Sequence, residues 1–210
     1  MATLNPVIRR VETAAERWTH DDFMRLAPEG QKAELIEGIM VMASPAFAQH
    51  ERLFAFLITV LRAYAGHLRL GEVLGSRYAV YISETETYEP DILFVAADRV
   101  HLITEKQLTG VPDLVIEILS AGTARYDRGV KRENYERAGV VELWLIDPYG
   151  PAGTQFYQRR EENLVEVAPV EGIVNSAAIP GLKLKVSWLW PTQVGELPDP
   201  LEVLRELGIV

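Results

Sequence analysis

The chain has 210 residues, 48% of them hydrophobic and 24% charged, with a formal net charge of -9 and no cysteine. This length and composition suit one well-filled globular core. The lack of cysteine excludes disulfides, zinc ribbons and thiol nucleophiles, so any metal must rest on oxygen or histidine ligands. The acidic balance excludes a surface coated in positive charge for non-specific duplex binding, but leaves room for a local basic face.

In chain order, Thr19-His20-Asp21-Asp22 predicts a helix start, with Thr19 as cap and acids near the positive end. Residues 32–42 hold two apolar segments split by Glu37-Gly38, the pattern of a small hairpin. Leu53, Phe54, Leu57, Ile58, Leu61 and Tyr64 recur at helical spacing and predict the first long helix, ended by Gly66. Its apolar stretch, residues 53–65, is broken by Arg62 and is shorter than the roughly 20 residues of a membrane span. The amino terminus shows no basic segment followed by an apolar core and cleavage site, so a cytoplasmic protein is expected. Residues 71–82 are β-rich, 88–96 form a strand, and 98–110 a connection with room for one helical turn. A further strand ends at Leu119, a charged helix runs over 126–138 to Gly139, and a buried strand fills 141–147. Beyond Pro148 the expected elements are a hairpin over 155–170, an alternating strand over 182–189 and a final helix over 201–207. The order predicts an α/β (α+β) protein in which a central mixed sheet is flanked by helices. Its core spans about 47–147 of a single domain, 1–210, with added β-hairpin elements.

The chemistry concentrates in two strands that each open on Pro-Asp, at Pro90-Asp91 and Pro112-Asp113. Strand geometry puts Asp113, Val115, Glu117 and Leu119 on one side. Glu117 is then a carboxylate inside an apolar strand, which is costly unless it is paired, hydrogen-bonded or cation-bound. If the two strands are neighbours, Asp91 and Glu117 converge on one hard divalent ion. Downstream, Arg125, Arg128, Lys131, Arg132 and Arg137 cluster, either as a phosphate-binding face or as a solvated helix paired with Asp127, Glu133 and Glu136.

The run from Pro112 to Ser120, then Tyr126-Asp127-Arg128-Gly129, Lys131, Tyr135, Ala138-Gly139-Val140 and residues 142–148 resemble the Uma2 (DUF820) family of restriction-endonuclease-like proteins. The resemblance extends to Pro90-Asp91, His50 and residues 34–38. It implies a PD-(D/E)XK nuclease fold with a Mg²⁺ site, Mn²⁺ being an alternative, and a nucleic-acid substrate, expected to be DNA. Asp91 and Glu117 would be catalytic residues and metal ligands. The motif lysine should stand two residues after Glu117, where the chain has Leu119. The resemblance therefore suggests a relocated lysine, Lys131, which shares a helix face with Asp127 and Tyr135. Arg125, Arg128 and Arg132 become candidates for contacting nucleic acid.

Glu34, His50, Asp113 and Tyr135 are secondary candidates. His50 serves equally well as a structural residue. Asp113 lies about 13 Å along the strand from Glu117 by ordinary strand rise, so pairing with Arg125 or Arg128 is its competing role. The expected activity is metal-assisted phosphodiester hydrolysis. The alternatives are a lapsed nuclease module that binds nucleic acid or protein, and a purely structural subunit. A homodimer would supply two sites about a twofold axis, with apolar residues of 182–190 as the candidate interface.

Overall fold

In the computed structural model, residues 17–28, 30–190 and 197–209 are described. The expectation about the amino-terminal segment lies outside them. Helix α1 (His20–Leu26) starts as Thr19 predicts: Asp22 N–H donates to Thr19 Oγ1 (3.2 Å) and Thr19 N–H to Asp22 Oδ2 (3.2 Å), a reciprocal capping box. Strands β1 (Ala33–Ile36) and β2 (Ile39–Met42) form the predicted hairpin. Its two turn residues, Glu37 and Gly38, both take positive φ (51° and 73°), the twist that a two-residue hairpin favours.

The long helix α2 (Ala48–His67) is followed by β3 (Gly71–Gly75), β4 (Ala79–Ser83), β5 (Glu86–Tyr88) and β6 (Ile92–Ala96). The single strand expected over 88–96 is two. Tyr88 closes β5 in one sheet, and the chain passes Pro90 into β6 of another, because proline cannot donate to a continuous ladder. The connection expected over 98–110 contains a 3₁₀ segment (Ala97–Leu102) and the short β7 (Gln107–Leu108). Then come β8 (Leu114–Ile118), a helical segment and β9 (Glu142–Ile146). The helical segment is α3 (Ala124–Tyr126), a π turn (Asp127–Lys131) and α4 (Arg132–Ala138), stopped by Gly139 at φ 100°. The predicted hairpin is β10 (Gln155–Arg160) with β11 (Asn163–Val167), and Pro200–Glu206 is the final helix, α5. The alternating strand expected over 182–189 is shorter. Lys183–Lys185 (β13) pairs with Ile173–Asn175 (β12) and then turns into a 3₁₀ segment. Its apolar residues Leu182, Leu184, Trp188 and Leu189 are buried within this chain and so supply no exposed interface.

The architecture is the expected mixed one. A six-stranded sheet in the order β11-β10-β9-β8-β6-β3 contains one parallel pair, β8 with β9, joined by the helical segment. One face carries Ile92, Phe94, Ile116, Ile118, Trp144 and Ile146 against Leu53, Leu57 and Leu61 of α2 and Val203 of α5. The opposite face adds a sheet to the expected helix. It is covered by α4 and by a second, five-stranded sheet in the order β2-β1-β5-β4-β7. Val115, Leu143 and Leu145 meet Tyr135, Ile36 and Tyr88 there, and Leu93 and Val95 meet Val80 and Leu108. Strand alternation therefore turns Asp91 and Glu117 toward this second layer, where a charge needs a partner.

Candidate active site

Strands β6 and β8 are antiparallel with Ile92 opposite Ile116, and continuing that register by one residue sets Asp91 opposite Glu117. Both acids are buried, at 4% and 2% exposure. Asp91 is held from three sides. Its Oδ2 accepts the Ile118 N–H (2.8 Å) and lies 3.3 Å from His50 Nε2, while its Oδ1 accepts from Lys32 Nζ (2.7 Å). Burial alone would raise this carboxyl, but Lys32 and His50 reverse the effect and hold it well below the usual carboxylate range. For His50 burial acts downward, and the hydrogen-bonded Asp91 raises the imidazole on balance.

Glu117 faces a different cation. Its Oε1 lies 2.7 Å from Lys131 Nζ and accepts the Tyr135 O–H at 2.8 Å. The same ammonium donates to Glu34 Oε1 (2.8 Å) and sits 2.9 Å from Asp127 Oδ1. The π turn and α4 bring Asp127, Lys131 and Tyr135 onto one side, as their spacing of four predicts, and β1 supplies Glu34 across the layer. Burial pushes Glu117 up to about 8; Lys131 opposes this, and Asp127, Glu34 and Asp91 add to it. Burial acts downward on Lys131, but Asp127, Glu117 and Glu34 hold its ammonium well above the ordinary lysine range.

These groups form the floor of a cleft of about 730 Å³ lined by Lys32, Glu34, His50, Asp91, Glu117 and Lys131 among others. Four carboxyl groups, from Glu34, Asp91, Glu117 and Asp127, meet two ammoniums there, so two negative charges are in surplus once the raised Glu117 and Asp127 carboxyls have given up their protons. That surplus equals the charge of one divalent cation, and carboxylate oxygens are the donors a hard cation prefers. Among the described residues no group of three His, Asp or Glu side chains is preassembled for coordination. A Mg²⁺ ion, which usually keeps several waters and takes only one or two carboxylates, fits such a pair.

Lys32 is the member that sequence reasoning missed. It lies two residues before Glu34, on the same side of an extended chain, and that spacing is the only signal the sequence carries. Asp113 does not join the cluster. It accepts from Ala96 N–H (2.8 Å) and from Arg99 Nη1 (2.6 Å), which replaces the expected Arg125 or Arg128 as its partner and ties the 3₁₀ segment to β8. Asp113→Asn should therefore cost about 1 kcal/mol of stability and leave divalent-metal affinity unchanged in calorimetry. Nor do the three arginines form one basic face. Arg128 donates to Gln155 and to the Gly153 carbonyl, Arg132 lies over the Tyr157 ring (5.9 Å), and Arg125 alone is exposed.

The family model described as "Uma2: Putative restriction endonuclease" matches residues 20–187. The chain belongs to the Uma2 family. The matched region runs from α1 past β13, so every residue of the cleft floor lies inside it. A solved structure described as a putative nuclease belonging to DUF820, from Anabaena variabilis, superposes with a TM-score of 0.67 at 18% identity. It covers 82% of this Uma2 chain and 97% of that one, and shows a shared fold. A Synechocystis sp. relative, described as uncharacterized protein sll1609, is 27% identical over 117 residues. The match spans 55% of this chain and 66% of that protein's length. Among the described residues no helix is long and apolar enough to cross a membrane.

Proposed function

We propose that the cleft is the active site of a metal-dependent endonuclease that hydrolyses phosphodiester bonds of nucleic acid. The observation that carries this reading is the pairing of Asp91 with Glu117 across β6 and β8, with Lys131 Nζ 2.7 Å from Glu117, on the floor of one open cleft. Asp91 and Glu117 would hold Mg²⁺ or Mn²⁺, which when bound polarises the phosphate and lowers the pKa of a bound water. The Ile118 N–H fixes Asp91 and the Tyr135 hydroxyl fixes Glu117, so both carboxylates are oriented before any ligand arrives. Lys131 takes the part of the motif lysine absent at Leu119. It places a permanent positive charge beside Glu117, where it can orient water and stabilise charge developing on the phosphate. His50, in the first turn of α2, steadies Asp91 from the cleft side.

A lapsed nuclease that only binds its ligand is favoured by one observation: Lys32 and Lys131 already neutralise part of the carboxylate set. The test is incubation of the purified protein with supercoiled plasmid, linear duplex, single-stranded DNA and RNA in Mg²⁺, Mn²⁺ or EDTA, beside Asp91→Ala and Lys131→Ala. Cleavage that needs the metal and disappears in both variants is expected. Metal binding that depends on Asp91, without cleavage of any substrate, would establish the lapsed module instead.

A further inference from the structure

We infer that the mouth of this cleft holds an unstacked base of single-stranded nucleic acid against Phe47 and Tyr149; this substrate class rests on the nuclease reading above. Phe47 is 64% exposed and Tyr149 72% exposed, the two most exposed aromatic rings among the described residues, and both line the cleft whose floor carries Asp91 and Glu117. A single exposed ring is ordinary, but two that line one cleft offer a candidate contact surface. Each has a firm mount. Phe47 immediately precedes α2, its carbonyl accepting the Glu51 N–H (3.2 Å), three residues ahead of His50. Tyr149 follows β9, its N–H donating to Asp147 Oδ1 (2.9 Å).

The cleft lining includes the small, uncharged residues Pro45, Ala46, Ala121 and Gly122 beside the two rings, with Glu51 as an exposed acid among them. Among the described residues lining the cleft, the only lysines or arginines are Lys32 and Lys131. The chain's formal charge is -9, Lys32 and Lys131 are committed to carboxylates, and Arg128 and Arg132 have partners within the fold. Counterion release, the main source of duplex affinity, is correspondingly small. Stacking on aromatic rings needs no net charge and accepts any base. Bases inside a duplex are already stacked on both faces, and extruding one is costly, so a strand with free bases fits this mouth better than a double helix. The cleft volume of about 730 Å³ suits a nucleotide-sized ligand.

The experiment is fluorescence anisotropy in EDTA, where metal-dependent cleavage is silent, with a labelled single-stranded oligonucleotide and its duplex. The proteins are the wild type, Phe47→Ala, Tyr149→Ala and Phe47→Trp. The wild type should prefer the single strand, each alanine should weaken that binding about tenfold, and Phe47→Trp should retain it. Equal affinity for duplex, or alanine variants that bind the single strand like the wild type, would overturn the assignment. So would a change of oligomeric state in the alanine variants by sedimentation, since the rings would then cover a protein partner. Ring-dependent binding without any Asp91-dependent cleavage would sink the nuclease reading and leave the stacking role standing. Asp91-dependent cleavage with ring-insensitive binding would do the reverse.

Discussion

Replacing Lys131 with methionine should lower the melting temperature at pH 8 by roughly 10 °C, because breaking a buried ion pair costs about 3–5 kcal/mol. The methionine stem fills the same space, but Glu34 Oε1, Glu117 Oε1 and Asp127 Oδ1 all lose the ammonium that lies within 2.9 Å of each. Three buried carboxylates then have no cation, and they can recover only by taking up protons. The deficit should accordingly shrink toward pH 5, where protonation is easier. Melts of wild type and variant at the two pH values read this directly. An unchanged melting temperature at pH 8 would show that Lys131 does not carry the charge of the cluster. Cleavage should be lost even at temperatures where the variant remains folded, since no other ammonium approaches Glu117 among the described ion pairs.

Glu117→Gln should act in the opposite direction on stability and in the same direction on function. Burial pushes the Glu117 carboxyl up to about 8, so the folded protein keeps a proton that the unfolded chain releases near 4.5. Between those values the unfolded state binds fewer protons, and the metal-free wild type loses stability as pH rises. Glutamine carries no charge and can still accept the Tyr135 hydroxyl, while Lys131 keeps Glu34 and Asp127. In EDTA the variant should match the wild type near pH 5 and exceed it at pH 8.5 by ~2 kcal/mol, a fraction of the full linkage. His50 is raised too, so its stabilisation is present below 6.5 and fades as pH climbs, but it does so in both proteins and cancels in the comparison. Asp91 works in a separate window. Its lowered carboxyl stabilises above 3.8, and that contribution is lost only as pH falls further. A variant less stable than wild type at pH 8.5 would contradict the picture of Glu117 as a strained buried charge waiting for a cation. Such a gain in stability with loss of activity is what a site kept for function, at a cost to the fold, should show.

Much of this site is legible in the amino-acid sequence. Asp91 stands at the mouth of one short apolar strand and Glu117 inside another, where period-two alternation fixes their side, and a carboxylate on a buried face is an exception that needs a reason. Asp127, Lys131 and Tyr135 are likewise legible from their spacing of four, although the segment carrying the first two is a π turn rather than regular helix. What escapes a sequence reading depends on chain path. Lys32 precedes a four-residue strand and its spacing of two from Glu34 fixes only its side, so the path of the chain into the β1–β2 hairpin is what reveals that it reaches Asp91. Arg99 is about as near to Asp113 along the chain as Arg125 and Arg128 are, and only the path of the 3₁₀ segment after β6 selects it as the partner. Apolar content alone does not tell that residues 86–96 divide between two sheets at Pro90, or that the 182–189 alternation belongs to a short strand and a 3₁₀ turn packed inward.

The most direct test of the cleft floor as a cation site is a calorimetric titration of Mn²⁺ into the wild type and into Asp91→Asn, at pH 6.5 and pH 8. One ion per chain is expected in the wild type, bound more tightly at pH 8 because the Glu117 proton must leave first, with binding lost in the variant. Absence of binding in the wild type, or binding that Asp91→Asn leaves unchanged, would contradict the assignment of Asp91 and Glu117 as metal ligands.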